Sequence, residues 1–264
     1  MMGPAHSLSG AAAWLGVGAA AAALDHPMPW PVLVVGALIC AGAALAPDLV
    51  HHKAATISRA FGPFSRGLCE VVDKLSYAVY KATKKPGDKR RTGGHRTLTH
   101  TWLWAVLIGG GTSVLAMTGG RWAVLAILFV HLVLAVEGLL WRAARVSSDV
   151  LVWLLGATSA WILAGVLDKP GSGADWLFTG PGQEYLWLGL PVVLGALVHD
   201  IGDALTVSGC PILWPIPVGN KRWYPVGPPK GMRFRAGSWV ELKVLMPAFM
   251  LLGGAGGAAA LNLI

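Results

Sequence analysis

Seven apolar runs divide the chain: about Leu8–Leu24, Pro31–Pro47, Thr101–Thr118, Trp122–Trp141, Val150–Leu167, Tyr185–Val207 and Val240–Ile264. Most lack charge on any face, which is the pattern of a helix surrounded by protein or lipid. Each compares with the roughly 20 residues that span a bilayer. The pattern predicts an all-α fold, a polytopic membrane helical bundle of about seven hydrophobic segments in a single domain over residues 1–264. The first two runs are marginal in length and apolarity. Their Gly and Ala content suits either close-packed spans or a re-entrant pair.

One stretch is patterned differently. Between Phe61 and Thr83, Leu68, Val71, Val72, Leu75 and Val79 recur at helical spacing, with Arg66, Glu70, Asp73, Lys74 and Lys81 interleaved. This predicts an amphipathic cytoplasmic helix, either lying at the membrane surface or packed as a soluble helix on a neighbouring loop. Lys84 to Gly94 is rich in Lys, Arg and Gly and reads as a loop. Together they form a basic insert at about 53–94.

Composition agrees with a membrane protein. Hydrophobic residues make up 55% and charged residues 13%, against about 25% charged in soluble domains. The 13 Trp and 35 Gly fit membrane interfaces and membrane helices. The net charge of +8 is concentrated: 19 of 21 Lys and Arg fall in the three connections 51–99, 142–145 and 208–243. If all seven runs span, these connections share one side, which the positive-inside rule makes the cytoplasm. That accounts for the basic charge without nucleic acid as a partner. Cys40, Cys69 and Cys210 form no Cys-x-x-Cys pair, so neither a zinc ribbon nor a disulfide framework is expected. The N-terminus lacks a basic n-region and a cleavage site, so no signal peptide is expected.

The same topology gathers residues of metal-ligating type. His6, Asp48, His51, His95, His100, His199, Asp203 and Glu241 all fall at the cytoplasmic ends of segments, although only apolar runs and Lys/Arg counts set the topology. His199 and Asp203 are four apart and share a helix face. Asp200 points about a quarter-turn away and is a candidate to orient a ligand His. His52 competes with His51 as a ligand. Arg96, between His95 and His100, offers a planar fork for phosphate or carboxylate. A catalytic zinc takes about three protein ligands, so this set suits two or three divalent ions, or one ion with an acid/base and supporting residues. Clustered metals suit phosphoester hydrolysis. His131 and Glu137, deeper in the fourth run, read as structural. Cys40 reads as packing, Asp149 as a helix N-terminal acid, and Asp25 and His26 as opposite-side surface residues.

The motifs are Gly3-Pro4-Ala5-His6, Pro47-Asp48-Leu49-Val50-His51 and His95-Arg96-Thr97-Leu98-Thr99-His100-Thr101. They continue with His199-Asp200-Ile201-Gly202-Asp203-Ala204-Leu205-Thr206, Gly209-Cys210-Pro211, Trp214-Pro215 and Gly237-Ser238-Trp239-Val240-Glu241. In this order the chain resembles the YdjM-like family of LexA-regulated inner-membrane proteins, which are predicted metal-dependent hydrolases. The resemblance also suggests distant kinship to the zinc-dependent phospholipase C and single-strand nuclease superfamily. It implies a bacterial inner (cytoplasmic) membrane location, Zn2+ as the metal and His6, Asp48, His51, His95, His100, His199, Asp203 and Glu241 as its site. Where the family pattern often carries Pro-Asp-x-Asp-His, this chain has Val50 in place of the second Asp.

The expected function is a membrane-bound metal-dependent hydrolase acting on a phosphoester of a lipid or membrane-proximal substrate, through metal-activated water. Asp203 and Glu241 are the candidates to accept its proton, and Arg96 to hold the anion. Membrane lipid and an anionic substrate, such as a phospholipid, are the expected partners. A metal-ion transporter or sensor is the first alternative, and requires polar residues to continue deeper. A non-catalytic membrane scaffold, whose basic loop binds anionic lipid or a protein partner, is the second.

Overall fold

The computed structural model describes residues 1–50, 57–140, 143, 148–180 and 182–263. His51, His52, Arg142 and Arg145 therefore lie outside the described residues. Eight α-helices are present among the described residues: α1 (Gly3–Ala23), α2 (Trp30–Ala43), α3 (Ile57–Ala60), α4 (Gly62–Thr83), α5 (Trp102–Leu139), α6 (Asp149–Leu167), α7 (Gly189–Ala204) and α8 (Met246–Ala260). A 3-10 turn, Ala46–Val50, extends α2, and a π-helical turn, Glu241–Leu245, leads into α8. No sheet forms among these residues; only isolated bridges such as Cys210 to Val226 occur.

Among the described residues, five stretches are long and apolar enough to cross a membrane: Trp30–Val50, Trp102–Leu139, Asp149–Leu167, Leu186–Ala204 and Glu241–Ala260. Helix α1 matches them in length and falls below them in apolarity because Ala, Gly and Ser fill it. It nonetheless runs the depth of the bundle. His6 lies at one end, and near the other a Cβ on Gly18 would meet Leu33 and Ala260. The first two apolar runs are thus a helical pair, α1 against α2, and not a short re-entrant loop.

The third and fourth runs join in α5, which reverses at Gly120. Its φ of 59° and ψ of −153° lie in a region open essentially to glycine. Residues 102–119 descend beside α7, where Gly109 faces Gly189 and Val193. Residues 121–139 return, so that Gly138 meets Ser7 and Leu45 at the opposite end. Arg121, just after the turn, pairs with Asp168 at the end of α6. All seven passes therefore alternate in direction. The 16 described Lys and Arg of residues 57–99 and 208–243 share one end of the bundle, its basic end, with His6, Asp48, His100 and Asp203.

Helix α4 crosses the basic end and has three faces. Ser65, Cys69, Val72, Ser76 and Tyr80 are buried against the protein. Phe64, Leu68, Val71 and Leu75 form an apolar stripe that is 41–74% exposed. Arg66, Glu70, Lys74 and Lys81 occupy the remaining arc and are exposed. At about 100° per residue the three sets point in three directions, as befits a helix lying where protein, lipid and water meet. The Trp153 indole donates to the Ala60 carbonyl at 2.6 Å and ties α3 to α6.

Close helix approach depends on particular glycines. A Cβ on Gly189 would lie 2.1 Å from the Gly109 carbonyl oxygen, whereas one on Gly111 would meet nothing within 4 Å. Gly189→Ala is therefore expected to cost about 1–3 kcal/mol and lower the thermal midpoint in detergent. Gly111→Ala should leave it unchanged or raise it slightly through helix propensity.

Candidate metal centre

Four segments bring the site together. Helix α1 supplies His6 from its first turn, the 3-10 turn after α2 supplies Asp48, and the last turns of α7 supply His199 and Asp203. His100 ends a short 3-10 turn just before α5. His6, His100, His199 and Glu241 are fully buried and Asp203 is 3% exposed. The Asp48 side chain, at 22% exposure, is more open than those of Asp203, His100 and His199.

The distances are those of a shared ion more than of hydrogen bonds. His100 Nε2 lies 3.8 Å from Asp48 Oδ1 and 3.7 Å from Asp203 Oδ2. His199 Nε2 lies 3.9 Å from each of the same two oxygens. His6 Nε2 is 3.4 Å from Asp203 Oδ1. Ligand atoms around one tetrahedral zinc, at bond lengths of about 2.0–2.1 Å, lie roughly 3.3 Å apart. Hydrogen-bonded N and O atoms lie closer than these pairs do. Two groups of residues place ligand atoms within 4.8 Å of one another: His6, His199 and Asp203; and Asp48, His100 and His199.

Hydrogen bonding prepares the imidazoles for that role. His199 Nδ1 lies 2.8 Å from the Ala44 carbonyl oxygen. A carbonyl only accepts, so Nδ1 carries the proton and Nε2 presents a bare lone pair to the cluster. His100 Nδ1 pairs with Thr99 Oγ1 at 3.0 Å. Burial pushes the His100 imidazole well below its ordinary pKa, with the neighbouring His199 as a further cause, so the ring is neutral and able to bind a cation. His6 stacks on His199 at 3.7 Å between ring centroids. The Nε2 atoms of His6, His100 and His199 are buried and make no hydrogen bond among the described residues. Buried polar atoms without hydrogen bonds are uncommon and call for a partner such as an ion. The donor set of imidazole and carboxylate suits zinc and similar divalent ions. Because the His199 Nε2 lone pair serves one ion at a time, the two groups compete for it.

Several sequence expectations are redistributed. Asp203 is the hub: its carboxylate faces His6, His100 and His199, pairs with Arg96 Nη2 at 2.8 Å, and accepts from the Met1 amino group. Arg96 also donates to Thr206 Oγ1 at 3.2 Å and to the Gly209 carbonyl at 2.9 Å. Its fork grips protein groups, so it orients Asp203 where the sequence suggested a substrate clamp. Its own φ is +53°, uncommon outside glycine. Glu241 is buried, but Oε1 accepts from the Met2 amide at 2.6 Å and Oε2 from the Gly237 amide at 2.7 Å. It anchors the N-terminal segment and enters neither ligand group. His95 packs edge-on to His100 at 5.5 Å between ring centroids and is likewise in neither group. The Asp200 carboxylate makes no hydrogen bond among the described residues, and the residue is fully buried. The Ala44 carbonyl, not Asp200, orients His199.

Sequence reasoning missed Ala44, Thr99, Thr206 and Gly209. Thr99, Thr206 and Gly209 lie inside the motifs already noted, so the repeated Thr and Gly between ligand residues were a usable signal. The Ala44 carbonyl carried none. Cys210 donates its thiol toward the His100 carbonyl at 3.4 Å and belongs to neither ligand group; burial pushes that thiol well above its ordinary pKa.

A family model described as the YdjM inner membrane protein matches residues 1–260. The chain belongs to the YdjM inner membrane protein family. With its five membrane-compatible stretches, this YdjM-family chain is a multi-pass inner membrane protein. No curated protein and no solved structure matches it.

In metal-free protein held in chelator, Asp203→Asn should destabilise by about 3 kcal/mol, because it leaves the Arg96 guanidinium without its counter-charge. Asp200→Asn should leave stability unchanged or raise it, because it neutralises a buried carboxylate that lacks a partner. Thermal unfolding in detergent distinguishes the two.

Proposed function

We propose that the chain is a membrane-bound metal-dependent hydrolase acting on a phosphoester of a lipid or membrane-proximal substrate, with its site on the cytoplasmic side. The observation that carries this reading is the convergence of three imidazole Nε2 atoms, none hydrogen-bonded among the described residues, on the carboxylates of Asp48 and Asp203. The cytoplasmic placement rests on the basic loops at that end.

His6, His100, His199, Asp48 and Asp203 would hold the ion. A divalent cation bound there supplies Lewis-acid polarisation of a phosphoryl oxygen and a nucleophile at neutral pH. Arg96 fixes the Asp203 carboxylate in place. Asp203 and Glu241 both have oxygens engaged by donors, so neither is well placed to take a proton from a reacting group. Asp48, half-buried and with only the His100 and His199 imidazoles beside it among the described ion pairs, is the better acceptor when the ion sits in the His6, His199 and Asp203 group, and it is the more open of the two carboxylates. The surrounding Lys and Arg draw an anionic substrate to this end. Transport is less well supported: both ligand groups lie at the basic end, and His131, deeper in the bundle, has Nδ1 bonded to its own helix at the Ile127 carbonyl.

Metal analysis of the purified protein, paired with hydrolysis of a chromogenic phosphodiester, tests the proposal. Wild type should retain stoichiometric transition metal and turn over. His199→Ala and Asp203→Ala should lose both, and Glu241→Gln should keep the metal. A wild type free of metal after metal-replete purification, or one whose hydrolysis survives both substitutions, would overturn it.

A further inference from the structure

A groove of about 530 Å³ opens at the basic end between the turn after α2, helices α3 and α4, the returning limb of α5, and α6. Its walls include Ala46, Leu49, Phe64, Leu68, Phe129 and Trp153. We propose that this groove seats one acyl chain of an anionic bilayer phospholipid, entering sideways from the membrane so that its phosphoester reaches the Asp48 face of the metal centre. Identifying this lipid as the substrate rests on the hydrolase reading above; the seating of the chain does not.

Four observations favour this occupant. The walls are almost wholly apolar, and the volume falls within the roughly 300–1,000 Å³ of small-ligand sites. The groove is continuous with a surface suited to lipid: Phe64 and Leu68 both line it and begin the exposed stripe that Val71 and Leu75 continue along α4. Its inner wall is the turn that carries Asp48, since Ala46 and Leu49 are three apart on one side of that turn. Asp48 is also the most open of the carboxylate ligands. Finally, Arg59 on α3 and Arg66 on α4 are exposed and place positive charge on the two helices that border the groove, where an anionic headgroup would lie. Two other apolar grooves, one at Leu38 and Leu163 and one at Ala12 and Phe249, have no residue of the Asp48-bearing turn in their walls.

The test uses the full-length protein in nanodiscs containing phosphatidylglycerol with a diazirine at the end of one acyl chain. Photolysis is followed by peptide mass spectrometry and metal analysis. Adducts are expected on groove residues such as Phe64, Phe129 and Trp153. In Ala46→Phe and Leu68→Trp, which fill the groove from opposite walls, those adducts should fall about tenfold, as expected when roughly two methylenes of chain are displaced. Adducts on the outward Met250–Leu252 surface and the bound metal should be unchanged. Labelling confined to that outward surface, or groove adducts that persist in both filled variants, would overturn the inference. Groove adducts in wild type that holds no metal would support the groove and overturn the hydrolase reading. Retained metal without groove adducts would overturn the groove alone.

Discussion

The site depends on how closely two helices approach one carbonyl of a third. A Cβ on Gly10 of α1 would lie 2.6 Å from the Cys40 oxygen of α2, and one on Gly195 of α7 would lie 2.5 Å from the same atom. Neither position admits a larger residue without moving backbone. With both helices pressed onto α2 at that level, one turn further on His6 and His199 stack against each other. Gly202 extends the same logic, since a Cβ there would lie 2.3 Å from the Met1 side chain. Dispersion and backbone complementarity between small residues are the forces available to helices packing in a lipid environment. Here they also set the spacing of the ligand atoms.

Placing ionisable groups at such a junction is expensive, and the fold offsets the cost in two ways. The histidines need not be charged: the Ala44 carbonyl fixes the His199 tautomer, and burial keeps His100 neutral. The Asp203 carboxylate instead meets cations, the Arg96 guanidinium and the Met1 amino group. Arg96 in turn is held by Thr206 and Gly209 from the loop after α7. Loss of one partner therefore strands another, which is why buried ion pairs are far more costly to break than they are stabilising to make. Among the described residues, the three Nε2 atoms that converge on the Asp203 carboxylate are left without hydrogen bonds.

Much of this was legible because membrane helices leave strong traces. All seven apolar runs became helical passes, and the Lys and Arg bias grouped their ends correctly. The four-residue spacing of His199 and Asp203 placed both at one site because a helix periodicity fixes it. The reversal at Gly120 was foreseeable as a boundary between two runs, but its single-residue sharpness is a backbone property of glycine that apolarity does not reveal. The roles of Glu241 and Arg96 were not legible. Their residue types fit catalysis, yet loop geometry delivered the Met2 and Gly237 amides to one and the Gly209 carbonyl to the other. Asp200 failed for a related reason: helix angle gave its direction but not that its carboxylate meets no donor among the described residues.

Val50 gives the replaced acid of the motif a physical meaning. It is 2% exposed, so the position that often carries a second Asp here faces protein interior. A carboxylate there would need its own partner, and the chain supplies an apolar side chain in its place. The carboxylates that face the three histidines among the described residues are those of Asp48 and Asp203, and the Arg96 guanidinium already pairs with the second of them. An apolar Val50 keeps the turn packed against the protein interior, so that Asp48 is presented to the cluster without a second buried charge two residues away that would need its own partner.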